Sequence, residues 1–525
     1  VSSMSRGYAA LAGITAAAVA VGVAEPVAVL TGPRSAPLIA VGGLVVDLVP
    51  ETLKHLAISL FGTHDKIALL VGTAVLLAAI AALLGVLAAR RLRIGLAGVA
   101  AFGALGVVAA VTRPGAGPAA ALPSLVGAGL GALTLWAFVA GPLAPDLWSW
   151  SPPAGARATG RPEKHGADVD PEERRRFLRG VGALAGAAVV AGFGGHWLAG
   201  RRGVSAARQA VTLPTPAAPA PAVPTGADLS LTQLAPYVTP NSGFYRIDTA
   251  LVVPQVDPTT WRLRIHGRVR NPIELTFDEL LARPMVERYV TLACVSNEVG
   301  GDLIGNARWL GVPIKVLLDE ADPEEGADQV VGRSVDGWTC GTPTAVLRDG
   351  RDALLAVGMN GEPLPVAHGF PVRMVVPGLY GYVSACKWVT ELELTSFADF
   401  DAYWVPRGWS AQGPIKTESR IDTPRPRNKP TAGPVTVAGV AWAQHRGIRK
   451  VEVRVDGGPW REATLAPTVS LDTWVQWSWR WDATPGEHTL QVRATDADGV
   501  TQTEQRRPVA PDGATGWHTV KVTVR

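Results

Sequence analysis

Tyr289-Val290-Thr291-Leu292-Ala293-Cys294-Val295-Ser296-Asn297-Glu298 is the stretch on which the fold of this chain turns. It reads as a strand that ends on a cysteine and passes into a polar, glycine-rich loop, Val299-Gly300-Gly301-Asp302. Strand ends that open into glycine loops are where a side chain can meet a bound group. Taken alone, Cys294 is the ordinary buried structural cysteine. The sequence around it changes that reading.

Working outward, Trp261, Leu263 and Ile265 alternate like a strand, and residues 276–282 read as a short helix. Strand-like runs broken by Gly/Pro turns continue to about residue 400, the pattern of an α+β domain. The last segment is all-β. Val451, Val453 and Val455 alternate before the turn Asp456-Gly457-Gly458, and Val475, Trp477, Trp479 and Trp481 share one strand face. Further turns at Pro485-Gly486 and Asp498-Gly499 give the spacing of an immunoglobulin-like β-sandwich without an internal disulfide.

The other end has a different composition. The chain has 525 residues, enough for several domains, and 47% are hydrophobic. Its mean hydropathy of +0.18 is high because residues 1–143 are dominated by Ala, Leu, Val and Gly. Five apolar segments there, 8–30, 36–61, 67–89, 92–112 and 122–142, approach the ~20 residues that span a bilayer. The second carries Asp47, Glu51, Lys54 and His55, and Asp47, Glu51 and His55 share a helix face. Two readings stay open: an intramembrane proton or cofactor site, or an amphipathic helix at the membrane surface.

A linker, 144–179, leads to Arg174-Arg175-Arg176-Phe177-Leu178-Arg179, which resembles a twin-arginine export signal with Glu173 where Ser or Thr is usual. The apolar stretch 180–200 that follows lacks a small-residue cleavage site and reads as an anchor. Arg90, Arg91 and Arg93 flank another apolar span, so positive-inside counting explains the basic clusters. That counting places 144–179 in the cytoplasm and residues 201–525 outside it, in a multi-pass protein of the cell membrane. Gly180-Val181-Gly182-Ala183-Leu184-Ala185 fits a loose dinucleotide pattern but follows arginines, not a strand, so its glycines read as helix-packing surface. Residues 201–228 form a linker whose Pro/Ala-rich part, 212–226, reads as an extended tether.

A net charge of +4 without a basic, aromatic-laced stripe gives no support for nucleic acid as a partner. Three cysteines without a CxxC or CxxCH leave a zinc ribbon and c-type haem unsupported. His55 and His196 alone do not carry a membrane haem, so no haem is evident.

Four further motifs bear on the middle of the chain. Asn360-Gly361-Glu362-Pro363-Leu364-Pro365 leads into His368-Gly369-Phe370-Pro371-Val372-Arg373, then Val376-Pro377-Gly378 and Lys387-Trp388. Together with 289–313, this succession resembles the sulfite oxidase family of molybdopterin-dependent oxidoreductases, over about residues 230–525. The resemblance implies a molybdopterin domain at 229–425 and an immunoglobulin-like dimerisation domain at 426–525, and with the latter a homodimer. It implies that Cys294 is the protein ligand to a molybdenum that also holds one pterin dithiolene; a soft thiolate suits that metal. His368, Arg373 and Lys387 would then hold the pterin and its phosphate, Arg as a planar fork and Lys as a point charge. Phe244-Tyr245-Arg246 resembles the segment whose arginine reaches both cofactor and anionic substrate, although Ile247-Asp248 replaces the family's Asn-His. Arg446 matches a second arginine of the substrate funnel. A third, carried five positions after the metal cysteine by members that oxidise sulfite, is Val299 here, and the tyrosine beside the metal aligns loosely with Trp409.

The implied activity is two-electron oxygen-atom transfer on a small molecule in the cell envelope. No cytochrome b5 module is visible, so electrons go to a separate electron-transfer protein, a quinone or another membrane redox partner. Two alternatives remain: a sulfoxide reductase-type enzyme with the same cofactor, and a non-enzymatic membrane receptor with a ligand-binding ectodomain. In an oxidising compartment Cys340 and Cys386 can form a disulfide, but two buried thiols are the plainer reading.

Overall fold

The computed structural model describes residues 4–49, 65–113, 116–144, 171–201, 203–425 and 427–525. The chain divides into two compact units, Val1–Gly203 and Val204–Arg525.

The first unit is helical: α1 (Arg6–Thr31), α2 (Pro37–Leu48), α3 (Asp65–Arg90), α4 (Leu92–Val111), α5 (Leu122–Val139) and α6 (Pro171–Arg201). Glycine and alanine let these helices meet backbone to backbone. A Cβ on Gly13 would overlap the Ala81 carbonyl, and one on Gly22 would overlap that of Ala188, so α1 lies directly on α3 and α6. Among the described residues, five helices are long and apolar enough to cross a membrane: Arg6–Thr31, Val71–Arg90, Leu92–Val111, Pro118–Val139 and Glu172–Gly195. The expected span at 36–61 is not among them. Its described helix, α2, has 12 residues and covers only about 18 Å at 1.5 Å per residue. Glu51, Lys54 and His55 lie outside the described residues, as do the side chains of Asp47 and His196. The arginine run expected in a linker occupies the first turns of α6, which is continuous from Pro171.

The second unit opens with β1 (Arg262–Gly267), β2 (Ile273–Thr276), β3 (Val286–Ala293) and β4 (Ile304–Pro313). Then come β5 (Gln329–Ser334), β6 (Thr339–Pro343), β7 (Leu354–Met359), β8 (Glu362–Pro363), β9 (Arg373–Val375) and β10 (Val389–Thr395). They build two sheets, β2–β1–β10–β5–β6 and β3–β4–β7–β8, with β9 on β7. Leu263 and Ile265 of β1 are fully buried, as their alternation requires. The helix expected at 276–282 is Phe277–Leu281, fixed by a capping box between Thr276 and Glu279.

The tether expected at 212–226 is docked. Ala217 N–H donates to the Met285 carbonyl at 2.8 Å, and Glu287 N–H to that of Ala218 at 2.9 Å. Proline keeps such a segment extended while its neighbours pair with the free edge of β3.

The sandwich consists of the sheets β11–β12–β16–β15 and β14–β13–β17–β18. These strands are β11 (Glu418–Thr423), β12 (Gly433–Trp442), β13 (Ile448–Val455), β14 (Arg461–Glu462), β15 (Thr464–Leu465), β16 (Val475–Ala483), β17 (Gly486–Asp496) and β18 (His518–Val524). Val451, Val453, Trp477 and Trp481 fill its core. Because β11 pairs with β12, the sandwich begins at Glu418, ahead of the expected boundary at 426. The sandwich grips β3 three residues before Cys294: Trp474 N–H donates to Thr291 Oγ1 at 2.8 Å, and Gln444 Nε2 to the Thr291 carbonyl at 2.9 Å.

Candidate functional site

Cys294 follows the last residue of β3 and is 9% exposed. Its N–H donates to the Leu303 carbonyl at 2.9 Å, and its carbonyl accepts from Asn297 N–H at 3.1 Å. These bonds close the glycine loop behind the thiol. Burial pushes the Cys294 thiol up, while hydrogen bonds from Ser296 and the charge of Lys387 oppose that shift. Asn297, 4% exposed, has a buried Nδ2 without a partner.

The segment Phe244–Asp248 brings the next groups. Phe244 stacks on Tyr245 at 5.2 Å and meets Trp309 and His368 edge-on, both at 5.7 Å. Tyr245 is partly buried, and its phenol is pushed far up, first by desolvation and then by the nearby Cys294. A Cβ on Gly381 would stand 4.0 Å from Tyr245 Oη and 3.7 Å from the Ala293 carbonyl, so that hydroxyl lies beside the end of β3. Arg246, partly exposed, bonds through Nε to Asp248 at 2.8 Å.

Two buried cations and a histidine complete this side. Arg373, on β9, donates Nη1 to the His368 carbonyl at 3.1 Å and lies over the Trp309 ring. Gly369, at φ +114, makes the turn; a Cβ there would press on Arg373 and Lys387. Lys387 Nζ bonds to Asp248 Oδ2 at 2.8 Å. Burial lowers Lys387 to about 8 and Arg373 to about 10, and the charge of Arg373 adds to the Lys387 shift. Burial and the charges of Arg373, Lys387 and Arg246 lower His368 to about 4, against a hydrogen bond from its Nε2 to the Asn241 carbonyl. The pocket is short of negative charge, with Asp248 paired to two of its cations.

The structure thus brings together Phe244, Tyr245, Arg246, Cys294, His368, Arg373 and Lys387. Arg446 is engaged elsewhere: Nε pairs with Asp496 at 3.1 Å, and Nη2 donates to the Ile415 carbonyl and Thr417 Oγ1, both at 3.0 Å. Trp409 packs against Tyr382 and Trp404. The three cysteines are free and buried, so Cys340 and Cys386 form no disulfide.

The sequence offered Arg420 as a cation that could make up for the arginine absent at Val299; the structure gives it other partners. It pairs with Asp422 at 2.6 Å and donates Nη1 to the Gly301 carbonyl at 2.6 Å, gripping the loop after Cys294. Sequence reasoning missed Glu418, a buried carboxyl that desolvation raises to about 8. Asp248 had one signal, its departure from the family's histidine. Among the described residues no group of three or more His, Cys, Asp and Glu could hold a metal. A metal held at Cys294 would have to take its remaining ligands from a cofactor. The donor set fits a molybdopterin: a buried thiol, an unpartnered amide donor beside it, and buried cations short of an anion.

Fold and site define a molybdopterin-binding oxidoreductase domain followed by an immunoglobulin-like one, and the comparisons agree. Residues 250–404 match the family described as the oxidoreductase molybdopterin binding domain, and 418–492 match the bacterial Ig domain. Mitochondrial sulfite oxidase of Mus musculus is 31% identical over 287 residues, 46% of this chain and 52% of that protein. The uncharacterized oxidoreductase YuiH of Bacillus subtilis is 34% identical over 159 residues, 30% of this chain and 76% of YuiH. The structure of the sulfane dehydrogenase SoxCD from Paracoccus pantotrophus matches with a TM-score of 0.49 at 25% identity, over 56% of this chain and 84% of that one. The chain belongs to the sulfite oxidase family of molybdopterin oxidoreductases, whose cofactor is molybdenum-molybdopterin. It spans about half the length of the mammalian sulfite oxidases it matches.

Proposed function

We propose that the protein is a membrane-anchored oxidoreductase that transfers an oxygen atom, with two electrons, to or from a small sulfur-containing substrate in the cell envelope. The observation that carries this reading is the pocket itself: Arg373, Lys387 and His368 converge beside the buried thiol of Cys294 with too little negative charge among them. When bound, the molybdenum cofactor supplies the two-electron redox couple and the oxo chemistry. Cys294 would ligate the metal as a thiolate, losing its proton on binding despite its burial. Arg373 and Lys387 would hold the pterin phosphate, and His368 stays neutral beside them, able to accept or donate one hydrogen bond. Phe244 and Trp309 wall the pocket and exclude water. Arg246 is the cation on this side with access to solvent, placed to meet a substrate.

The deciding experiment is metal and pterin analysis of the purified full chain. About one molybdenum per chain is expected. A chain that binds neither molybdenum nor pterin would instead be a receptor, and assays with oxidised and reduced sulfur compounds give the direction of transfer. The electron acceptor is proposed to be a separate redox protein or a quinone, and the sandwich a homodimer interface.

The five span-length helices and the flanking arginines support membrane anchoring with residues 201–525 outside the cytoplasm. Export is proposed to follow the twin-arginine run. Lys in place of Arg174 and Arg175 should keep the second unit inside, and unchanged protease accessibility would point to another route.

A further inference from the structure

Within the first unit, helices α1 to α5 line a partly open cavity of about 150 Å³, with Ala17, Leu84, Phe102 and Gly106 among its walls. The wall is apolar and uncharged apart from one hydroxyl, that of Ser124 in the first turn of α5. Ser124 is 3% exposed, and its Oγ has no hydrogen-bond partner. Other hydroxyls of the bundle are satisfied within their own helices: Thr15 by the Leu11 carbonyl at 2.8 Å, Thr112 by Val108 at 2.7 Å and Thr134 by Leu130 at 2.8 Å. That bond to the carbonyl one turn back is the usual refuge of a helical hydroxyl. Ser124 does not take it. A Cβ on Gly106 would stand 2.6 Å from Ser124 Oγ, so the hydroxyl faces the space that the glycine of α4 leaves open.

An unpaired hydroxyl in a hydrocarbon environment is costly, and the unmet donor is the part that most needs a partner. An acyl chain filling the cavity would offer no acceptor. A phosphate headgroup would find no cation in the wall. An apolar cavity of this size accommodates one benzene-sized ring, and its open side leaves room for ring substituents. We infer that the cavity binds a bilayer-soluble molecule with a single planar ring and a carbonyl oxygen, of the benzoquinone class, whose carbonyl accepts from the Ser124 hydroxyl. The site stands independently of the chemistry proposed for the second unit.

The test is calorimetric titration of the full chain, in detergent, with a short-tailed dimethoxy-benzoquinone. Saturable one-to-one binding is expected. Ser124→Ala should weaken it about threefold to tenfold, the share of one neutral hydrogen bond. The same variant should raise the melting temperature of the ligand-free protein, because it removes an unsatisfied hydroxyl. Ala17→Phe should abolish binding by putting a ring into the space. If Ala17→Phe does not fold, Ser124→Ala still decides. Equal affinity in wild type and Ser124→Ala overturns the inference. So does absence of saturable binding, or equal competition by methyl oleate, which has no ring. Molybdenum content should not change in Ser124→Ala, so failure here is separable from failure of the oxidoreductase reading.

Discussion

On the His368 side of Cys294, Lys387, Arg373 and Arg246 gather, with Asp248 paired to Lys387 and Arg246, and burial drives Lys387 down to about 8. On the sandwich side the cations are already matched: Arg420 by Asp422, Arg446 by Asp496 and Lys416 by Asp512. The remaining buried acid there, Glu418, is raised to about 8 by desolvation and is neutral near pH 7. The first side holds positive charge that the protein leaves unbalanced, which is what an anionic group of a cofactor requires. The second is charge-balanced and held by hydrogen bonds, a frame for the loop that follows the thiol. The difference also bears on substrate. A small dianion needs several free cations near the metal, and this chain keeps its sandwich-side arginines occupied.

Cys294 sits between the two sides, and its replacement should have the largest effect. Cys294→Ser should keep the fold and the pterin while turnover falls by roughly a hundredfold or more, since an alkoxide is a harder donor and even residues around metal ligands are worth tenfold to a hundredfold. Retained activity in that variant would remove the metal from Cys294, and with it the reason to contrast the two sides.

Removing an acid should separate the sides next. Asp422→Asn leaves Arg420 buried without its counter-charge and should cost about 3–5 kcal/mol whether or not cofactor is present. Asp248→Asn deprives Lys387 of the same help, but a bound phosphate would replace it. Its cost should therefore be large in cofactor-free protein and small in loaded protein, read as melting temperatures of both forms. Equal losses in both forms would show that no anion of the cofactor lies near Lys387.

Each side also carries a histidine lowered to about 4: His368, and His518, which burial and the charge of Arg420 depress. Their folded values lie below the unfolded value of about 6.5, so the unfolded chain binds protons first as pH falls. Their contribution to stability is therefore complete above about pH 6.5 and is lost between there and about pH 4, on the order of 3 kcal/mol for each. A phosphate near His368 would favour its protonated form. Loaded protein should then retain only the His518 part of this acid sensitivity, visible as a shallower fall in denaturation midpoint.

How much of this was legible in the sequence depends on separation along the chain. Cys294, His368, Arg373 and Lys387 stand in short continuous motifs, and the alternation of Leu263, Ile265, Val451 and Val453 marked their strands directly. The pairing of Lys387 with Asp248 joins residues 139 positions apart, and that of Arg420 with Gly301 joins residues 119 apart. No local pattern encodes either bond. Proline-rich composition made 212–226 extended but could not say that β3 would receive it. The boundary at 426 missed β11 because a strand is assigned by its partner, and β12 lies beyond that boundary. Hydropathy alone made 36–61 a span; the helix Pro37–Leu48 covers its first part, and 50–61 lie outside the described residues.

The smallest expected effect tests the charge balance of the sandwich side directly. Val299 is partly exposed on the loop after Cys294, where the resemblance places an arginine in members that oxidise sulfite. The loop around it is held firmly. Gly300 lies under His518 at φ +80, with no room for a Cβ, and the Gly301 carbonyl is gripped by Arg420. Val299→Arg should therefore add a cation without rearranging its neighbours. A partly exposed charge pair is worth at most about 1 kcal/mol, so kcat/KM for sulfite should rise by about fivefold. Wild-type kcat/KM for sulfite should lie below the usual enzyme range of ~10⁴–10⁸ M⁻¹s⁻¹. A neutral sulfoxide should not respond to the substitution, and added salt should shrink the gain for sulfite, since screening reaches exposed charges first. Equal gains for both substrates would mean that the introduced guanidinium acts on the loop and not through its charge. No gain for sulfite would mean that the substrate approaches from the His368 side, past Arg246.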